Sequence, residues 1–426
     1  MQGHRKGHRH HGYLEQLDHV APAERFATLR AWMRGQPLAL FAELRAKRPI
    51  LHTDDAVLVA RNVDIMEVLR LPTTFTVDLN KARMADHMLA EDETTLHQRD
   101  KGIFQALLSR DDLPRIRALV GALTDEALDA ADGSIDLVPQ CTRWVPLRLV
   151  QDYFGLTGVD LEAMARWSRA IQLDAFFNQP FDARPDADAV FQASRVAYQE
   201  LGAALGALMQ RRGIELAHDP SADDIVARLL KLRLPAELGF TPTAMGVNLG
   251  GLLIGTVETA AKITAHALDQ LLARPDALAQ ARAVAASDDH EAFAGFVWEG
   301  LRFAPFIPYL FRKCVRDHVL ARGTRREAVI PAGATVLALT QSAMFDPELV
   351  DAPDEFRADR PYYVHSLHLG HGHHRCLGDH IARVMVPEMI RRVLLRSDVR
   401  ATAPIDDEGG PFPEHFTLRY GAPRPG

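Results

Sequence analysis

A mainly α-helical chain with a small β part is predicted from three observations. Helical periodicity recurs along most of the 426 residues, β-like pieces keep to the two ends of the sequence, and no Ser/Gly-rich linker or repeat divides it. The composition, 47% hydrophobic and 25% charged, is that of a folded globular chain. A net charge of −7 gives no support for a nucleic-acid binder, so no nucleic-acid partner is expected. Cys141, Cys314 and Cys376 are too few and too scattered for a disulfide framework or a four-cysteine zinc site. No run reaches the ~18 consecutive apolar residues of a membrane span. The opening MQGHRKGHRHHG lacks the apolar core of a signal peptide. No membrane anchor and a cytoplasmic location are therefore expected. Length alone suggests two or three domains. The missing linkers point instead to a flexible His-rich tail at 1–12 and a single domain over 13–426.

Taken in order, apolar residues three and four apart predict helices at 24–34, 37–47, 63–69, 113–131, 145–154, 188–212 and 223–232. Strand-like pieces fall at 50–58, 319–330, 335–338 and 416–420. The longest helix is capped by Thr241, opened by Pro242 and closed by Pro275. At 1.5 Å per residue it spans about 50 Å. It is apolar or small nearly all round from 245 to 257, so it belongs in a core. Yet Glu258 and Thr259 sit at its middle, after Gly250, Gly251 and Gly255. Each interior glycine costs about 1 kcal/mol relative to alanine. Something must approach the helix closely there.

The most informative stretch is LHLGHGHHRCLGDHIAR, residues 367–383. Gly370, Gly372 and Gly378 surround Cys376, and a helical pattern follows over 381–395. Glycines at this density let the backbone turn sharply and lie flat against a large ligand. A cysteine just before a helix N-terminus meets the positive end of the helix dipole, which lowers the thiol pKa and favours the metal-binding thiolate. A single thiolate suits an axial haem ligand. The rival is a zinc or nickel loop built from His365, His368, His371, His373, His374, His380 and Cys376. In that rival the glycine positions have no role.

Gly370-His371-Gly372-His373-His374-Arg375-Cys376-Leu377-Gly378, with Ala382 beyond, resembles the haem-ligand signature of the cytochrome P450 family, with Leu369 in place of its phenylalanine. The resemblance implies a P450-like fold whose long central helix lies over haem b. Cys376 would be the axial ligand of the haem iron and His374 a propionate partner, with Leu369, Gly370 and Gly378 shaping the cofactor site. Other stretches agree. Glu299 and Arg302, three apart on a helix ended by Pro305, resemble the family's buried Glu-x-x-Arg pair, and Arg360 is the choice for its third member. Gly255-Thr256-Val257-Glu258-Thr259 resembles its oxygen-activating stretch, with Thr256 where glycine is usual. Thr259, with Glu258, would then manage proton delivery. His97, Lys101 and Arg312 match propionate-binding positions, with lysine in place of arginine at 101.

The implied function is a haem-thiolate monooxygenase that inserts one atom of O2 into a hydrophobic small molecule, by hydroxylation or epoxidation. Electrons would come from a ferredoxin or flavodoxin-type donor with its reductase. Leu252, Gly255, Thr256, Phe306 and Ile307 would line the substrate pocket, and Arg110, Arg115, Arg117, Arg383, Arg391 and Arg392 a basic docking face. Two alternatives stay open at this point. One is a haem-thiolate peroxygenase, isomerase or dehydratase, for which Thr256 argues. The other is a non-enzymatic haem or metal-binding module.

Overall fold

Residues 12–423, apart from 85, 93 and 183, are described by the computed structural model. The rest of the expected tail, residues 1–11, lies outside the described residues. The chain packs as two compact units, one built from residues 12–76 and 307–354, the other from 77–306 and 355–423. Element labels run in chain order across both.

The first unit opens with α1 (Tyr13–Asp18), α2 (Pro22–Gly35) and α3 (Pro37–Lys47). Proline starts α2 and α3, where its missing N–H has no intrahelical partner to lose. The piece expected as one strand at 50–58 is a hairpin, β1 (Ile50–His52) and β2 (Val57–Val59), because Asp54 and Asp55 favour a turn between them. After α4 (Asn62–Arg70) and β3 (Phe75–Thr76), the unit resumes with β5 (Leu310–Cys314), β6 (His318–Leu320), β7 (Ala328–Ile330), β8 (Thr335–Ala338) and α15 (Thr340–Ala343). The main sheet has the order β1-β2-β8-β5-β3, so strands from both ends of the sequence do build one sheet. β6 and β7 form a separate hairpin where a single strand was expected.

The second unit holds α5 (Asp78–Met84), α6 (Thr95–Leu107), α7 (Leu113–Ala130), β4 (Ser134–Asp136), α8 (Trp144–Asp152), α9 (Leu161–Phe177), α10 (Ala187–His218) and α11 (Ile225–Lys231). It continues through α12 (Pro242–Leu272), α13 (Pro275–Ala285) and α14 (His290–Phe303). It closes with α16 (Tyr362–His365), α17 (Asp379–Leu394), β9 (Arg400–Ala401) and β10 (Thr417–Arg419). β10 pairs with both β9 and β4. Strand β4 therefore corrects the expectation that all β material lies at the ends; at three residues it is too short to show an alternating pattern.

Helix α12 is the axis of this unit. The Thr241 hydroxyl accepts from the Ala244 amide at 3.2 Å, as an N-cap should. Its length and apolarity would suit a membrane span, but Leu249, Leu253, Val257, Ala261 and Leu268 are fully buried in the core. Fully burying a leucine or valine side chain contributes roughly 1.5–3 kcal/mol. Gly250 admits Leu201 of α10, whose side chain would lie 3.2 Å from an added Cβ.

A buried ionic knot ties α14 to the segment that leads into the cysteine loop. Glu299 and Arg302 are both wholly buried and joined twice, at 3.0 and 2.7 Å. Arg360 adds Nε to Glu299 Oε1 at 3.0 Å, the third member expected, and His365 adds Nε2 to Oε2 at 2.9 Å. The Arg357 amide donates to Glu299 Oε1 at 2.9 Å, and both Arg302 and Arg360 donate to the Glu355 carbonyl. Burial by itself would raise the Glu299 carboxyl; the hydrogen bonds from His365 and Arg302 outweigh it and hold it at about 2. Because that folded-state pKa lies below the ordinary 4.5, the stability it contributes is present above pH 4.5 and is lost as pH falls toward about 2. E299Q should unfold about 3–5 kcal/mol more easily at pH 7, since it leaves buried arginines uncompensated. In urea titrations the gap from wild type should narrow as pH drops from 4.5 toward 2; a gap independent of pH would contradict the assignment.

Candidate active site

Most of α12 is buried, but one stripe is not. Gly251, Thr256, Thr259 and Ile263 are half-buried and Gly255 is exposed, positions that recur three and four apart and so share one face. A Cβ at Gly255 would meet nothing within 4 Å. Leu252, on the edge of the stripe, is 8% exposed. At Gly251 an added Cβ would lie 1.9 Å from His87 Nε2, so glycine there admits the His87 ring. His87 is buried, and burial pulls its pKa down to about 4, leaving a neutral ring at pH 7. Its Nδ1 accepts from the Leu89 amide at 3.2 Å. No motif marks His87; the adjacent Gly250-Gly251 pair is the one trace of its approach in the sequence.

Both threonines of the stripe bond one turn back, Thr256 to the Leu252 carbonyl at 2.6 Å and Thr259 to the Gly255 carbonyl. Each hydroxyl proton is thereby directed into the helix, with oxygen lone pairs left toward the open face. Glu258 lies elsewhere on the helix. It is 1% exposed and bound by Arg143, Nε to Oε1 at 2.9 Å, and by Arg169 at 3.5 Å. These two arginines, on the turn before α8 and on α9, carry no motif and are additions to the expected site.

The cysteine loop is shaped by Gly370 and Gly372, at φ of 74° and 69°, which non-glycine residues rarely adopt. The Cys376 amide donates to the Leu369 carbonyl at 2.8 Å, while Leu369 itself packs on the core. Gly378, with φ of −87°, has no such constraint, and a Cβ there would meet nothing within 4 Å. Cys376 is a free, exposed cysteine, whereas Cys141 and Cys314 are buried. Its thiol is nevertheless raised in pKa: burial by surrounding protein dominates, while the Gly378 amide, Arg375 and Lys101 oppose it. Accessible surface and desolvation coexist when a group lies in a concavity. The expected lowering by the helix N-terminus is thus corrected for the free thiol, and metal binding must supply the cost of deprotonation.

Helix α6 connects the loop to α12. His97 stacks on His373 at 3.8 Å and meets His374 edge-on at 5.3 Å. His97 Nδ1 donates to the Met88 carbonyl at 2.6 Å, and the Met88 amide donates to Asn248 Oδ1 of α12 at 3.1 Å. Lys101 Nζ donates to the His373 and Arg375 carbonyls at 2.6 and 3.1 Å. In this structure Lys101 therefore braces the loop backbone. His374 Nε2 lies 3.4 Å from Asp92. Phe306 is half-buried, edge-on to Phe176 and Phe177 at 5.7 Å each. Arg312 and Ile307 belong to the first unit, Arg312 buried on β5 with a bond to the Phe311 carbonyl at 2.8 Å, Ile307 half-buried.

Four of the six arginines expected on a basic docking face, Arg115, Arg117, Arg391 and Arg392, are engaged in ion pairs. Arg117, Arg391 and Arg392 share Glu388, Arg392 also reaches Asp125, and Arg115 pairs with Asp112 and Asp223. A cleft of about 800 Å³ beside Arg391, Arg392, Asp125 and Asp129 lies among these paired charges and holds none of the residues expected at the haem or the substrate pocket.

The donor set fits a planar thiolate-ligated group: a free, accessible sulfur on a glycine-shaped loop, and a helix face with no side chain at Gly255. The zinc or nickel rival has less support, since among the described residues no group of three or more His, Cys, Asp or Glu side chains is arranged to hold a metal ion. Two glycine substitutions separate the roles along α12. In urea titrations G251A should cost about 1–3 kcal/mol through the His87 clash, and G251A in an H87A background should cost far less. G255A should stabilise by about 0.5–1 kcal/mol, because only helix entropy changes. Equal effects at both positions would contradict the open stripe.

The family model for cytochrome P450 matches residues 149–410, more than half of the chain. An erythromycin C-12 hydroxylase from Saccharopolyspora erythraea is 26% identical, covering 86% of this chain and 88% of its own. The cytochrome P450 monooxygenase PikC of Streptomyces venezuelae is 28% identical over 75% and 71%. Among solved structures, CalO2 superposes with a TM-score of 0.77 at 21% identity, covering 93% of this chain and 98% of that one, a likeness of fold. With the glycine-shaped cysteine loop, the Glu299 knot and the open stripe of α12 already described, these matches lead to one conclusion: the chain belongs to the cytochrome P450 family and is a haem-binding monooxygenase of the bacterial type.

Proposed function

We propose that Cys376 is the axial ligand of haem b, and that Thr259 and Glu258 handle protons for hydroxylation or epoxidation of a hydrophobic small molecule held along Leu252, Gly255, Thr256 and Phe306. Bound haem supplies the activation of O2. The chain supplies the rest. Apolar side chains beside the stripe exclude water from the reacting carbon. The Thr259 hydroxyl, already donating to the Gly255 carbonyl, keeps an acceptor site toward the open face. Glu258 stays charge-paired with Arg143 and Arg169, close in sequence to Thr259 but not bonded to it. His97, His373 and His374 pack together against the loop, and with Lys101 they form the wall on which propionates would rest.

The observation on which this reading stands is the accessible Cys376 on its Gly370–Gly372 turn. A ferredoxin or flavodoxin-type donor with its reductase, and a cytoplasmic location, belong to the same proposal. By analogy with the erythromycin C-12 hydroxylase, the reaction is a hydroxylation at carbon.

The test uses haem-loaded full-length protein, a donor pair, and a compound selected because it shifts the iron spin state. Under 18O2 the product should carry one labelled atom, and T259A should lower product per electron supplied by on the order of tenfold. Turnover with hydrogen peroxide but none with O2 and the donor pair would overturn the proposal in favour of a peroxygenase.

A further inference from the structure

Two carboxylates share two arginines on the buried side of α12. Glu258 takes Arg143 in a fork, at 2.9 Å to Oε1 and 3.3 Å to Oε2, and Arg169 at 3.5 Å. The same terminal nitrogen of Arg143 lies 3.4 Å from Glu414 Oε2 and 3.2 Å from the Pro413 carbonyl. Arg169 grips Glu414 through its other terminal nitrogen. The result is one cluster of two arginines and two carboxylates, with the Glu258 side chain 1% and the Glu414 side chain 18% exposed, and with Glu408 adding a further attraction to Arg169.

The segment that supplies Glu414 is tied in two further ways. Lys262, one turn beyond Thr259, donates to the Pro411 carbonyl at 2.8 Å, and Arg169 lies 5.2 Å over the Phe412 ring. Phe412 in turn meets Phe177 at 5.2 Å and Phe306 at 6.5 Å. The Lys262 ammonium stands 5.3 Å from the ring centres of both Phe177 and Phe306. Residues 411–414 thus touch the ion pairs of Glu258 on one side and the aromatic ring of the proposed pocket on the other.

We propose that Glu414 is a positioning residue that, by sharing Arg143 and Arg169 with Glu258, sets how firmly those arginines hold the acid beside Thr259, and that Phe412 links this hold to what lies against Phe306. The inference rests on reading Glu258 and Thr259 as the proton-handling pair. The physics is competition. In a partly buried cluster, charge attraction is weakly screened, and each arginine's interaction is divided between two carboxylates. Among the described residues, neutralising Glu414 leaves Glu258 as the one direct ion-pair partner of both arginines. Their hold on Glu258 tightens, and its release toward Thr259 becomes harder.

The experiment compares haem-loaded full-length wild type, E414Q and E414D with the donor pair. It reads the share of electrons recovered as hydrogen peroxide, the solvent isotope effect in D2O, and amide hydrogen exchange over 255–262 and 411–415. E414Q keeps the shape and removes the charge, so kcat should fall roughly three- to tenfold with KM little changed. Its peroxide share and isotope effect should rise, exchange over 411–415 should increase, and exchange over 255–262 should decrease. E414D keeps the charge and should return toward wild type. A product-forming E414Q that matches wild type in peroxide share, isotope effect and 255–262 exchange would overturn the proposal. So would equal losses in E414Q and E414D that follow haem content alone. If wild type itself forms no product from O2, the Glu258–Thr259 reading fails, and the exchange over 255–262 still decides whether Glu414 governs the cluster.

Discussion

A carboxylate taken out of water must find cations and hydrogen-bond donors, or it costs several kcal/mol. The second unit buries Glu258 and Glu299 almost completely, and satisfying them fixes much else. Glu299 collects Arg302, Arg360, His365 and the Arg357 amide, which pins the segment after residue 355 against α14. The cysteine loop begins a few residues later. Glu258 plays the same part on α12, drawing Arg143 from the turn before α8 and Arg169 from α9.

Helix α12 therefore carries different chemistry on different faces. One face packs through Leu249, Leu253 and Val257, one is occupied by the Glu258 ion pairs, and one presents Gly255, Thr256 and Thr259. The glycines are not equivalent. Gly250 and Gly251 admit Leu201 and His87, whereas Gly255 borders open space. A residue type that weakens a helix is thus tolerated twice for packing and once to leave a surface flat. Such local inconsistency between propensity and position is where function is expected.

Much of this is legible in the sequence. The long helix, its Thr241 cap, the cysteine loop and the Glu299–Arg302 pair each rest on a local pattern, whereas Arg360, 61 residues from Glu299, is reached only through the family resemblance. What escapes is long-range. Arg143 and Arg169 reach Glu258 from 115 and 89 residues away, and Glu414 joins them across 271 and 245 residues, so no local pattern marks any of the three. Lys101 keeps its expected neighbourhood but braces loop carbonyls, a partner that side-chain spacing cannot reveal. Strand β4 is too short to show alternation. The boundaries between the two units fall at 76/77, 306/307 and 354/355, where composition does not change.

If Cys376 is the ligand around which the rest is arranged, the absorption spectrum of the reduced, haem-loaded protein under carbon monoxide must report it. Wild type should show the strongly red-shifted Soret band of thiolate ligation, and C376H should lose that band while still folding. A wild-type spectrum of histidine-ligated haem, or one unchanged by the substitution, would show that the sulfur of Cys376 does not hold the iron.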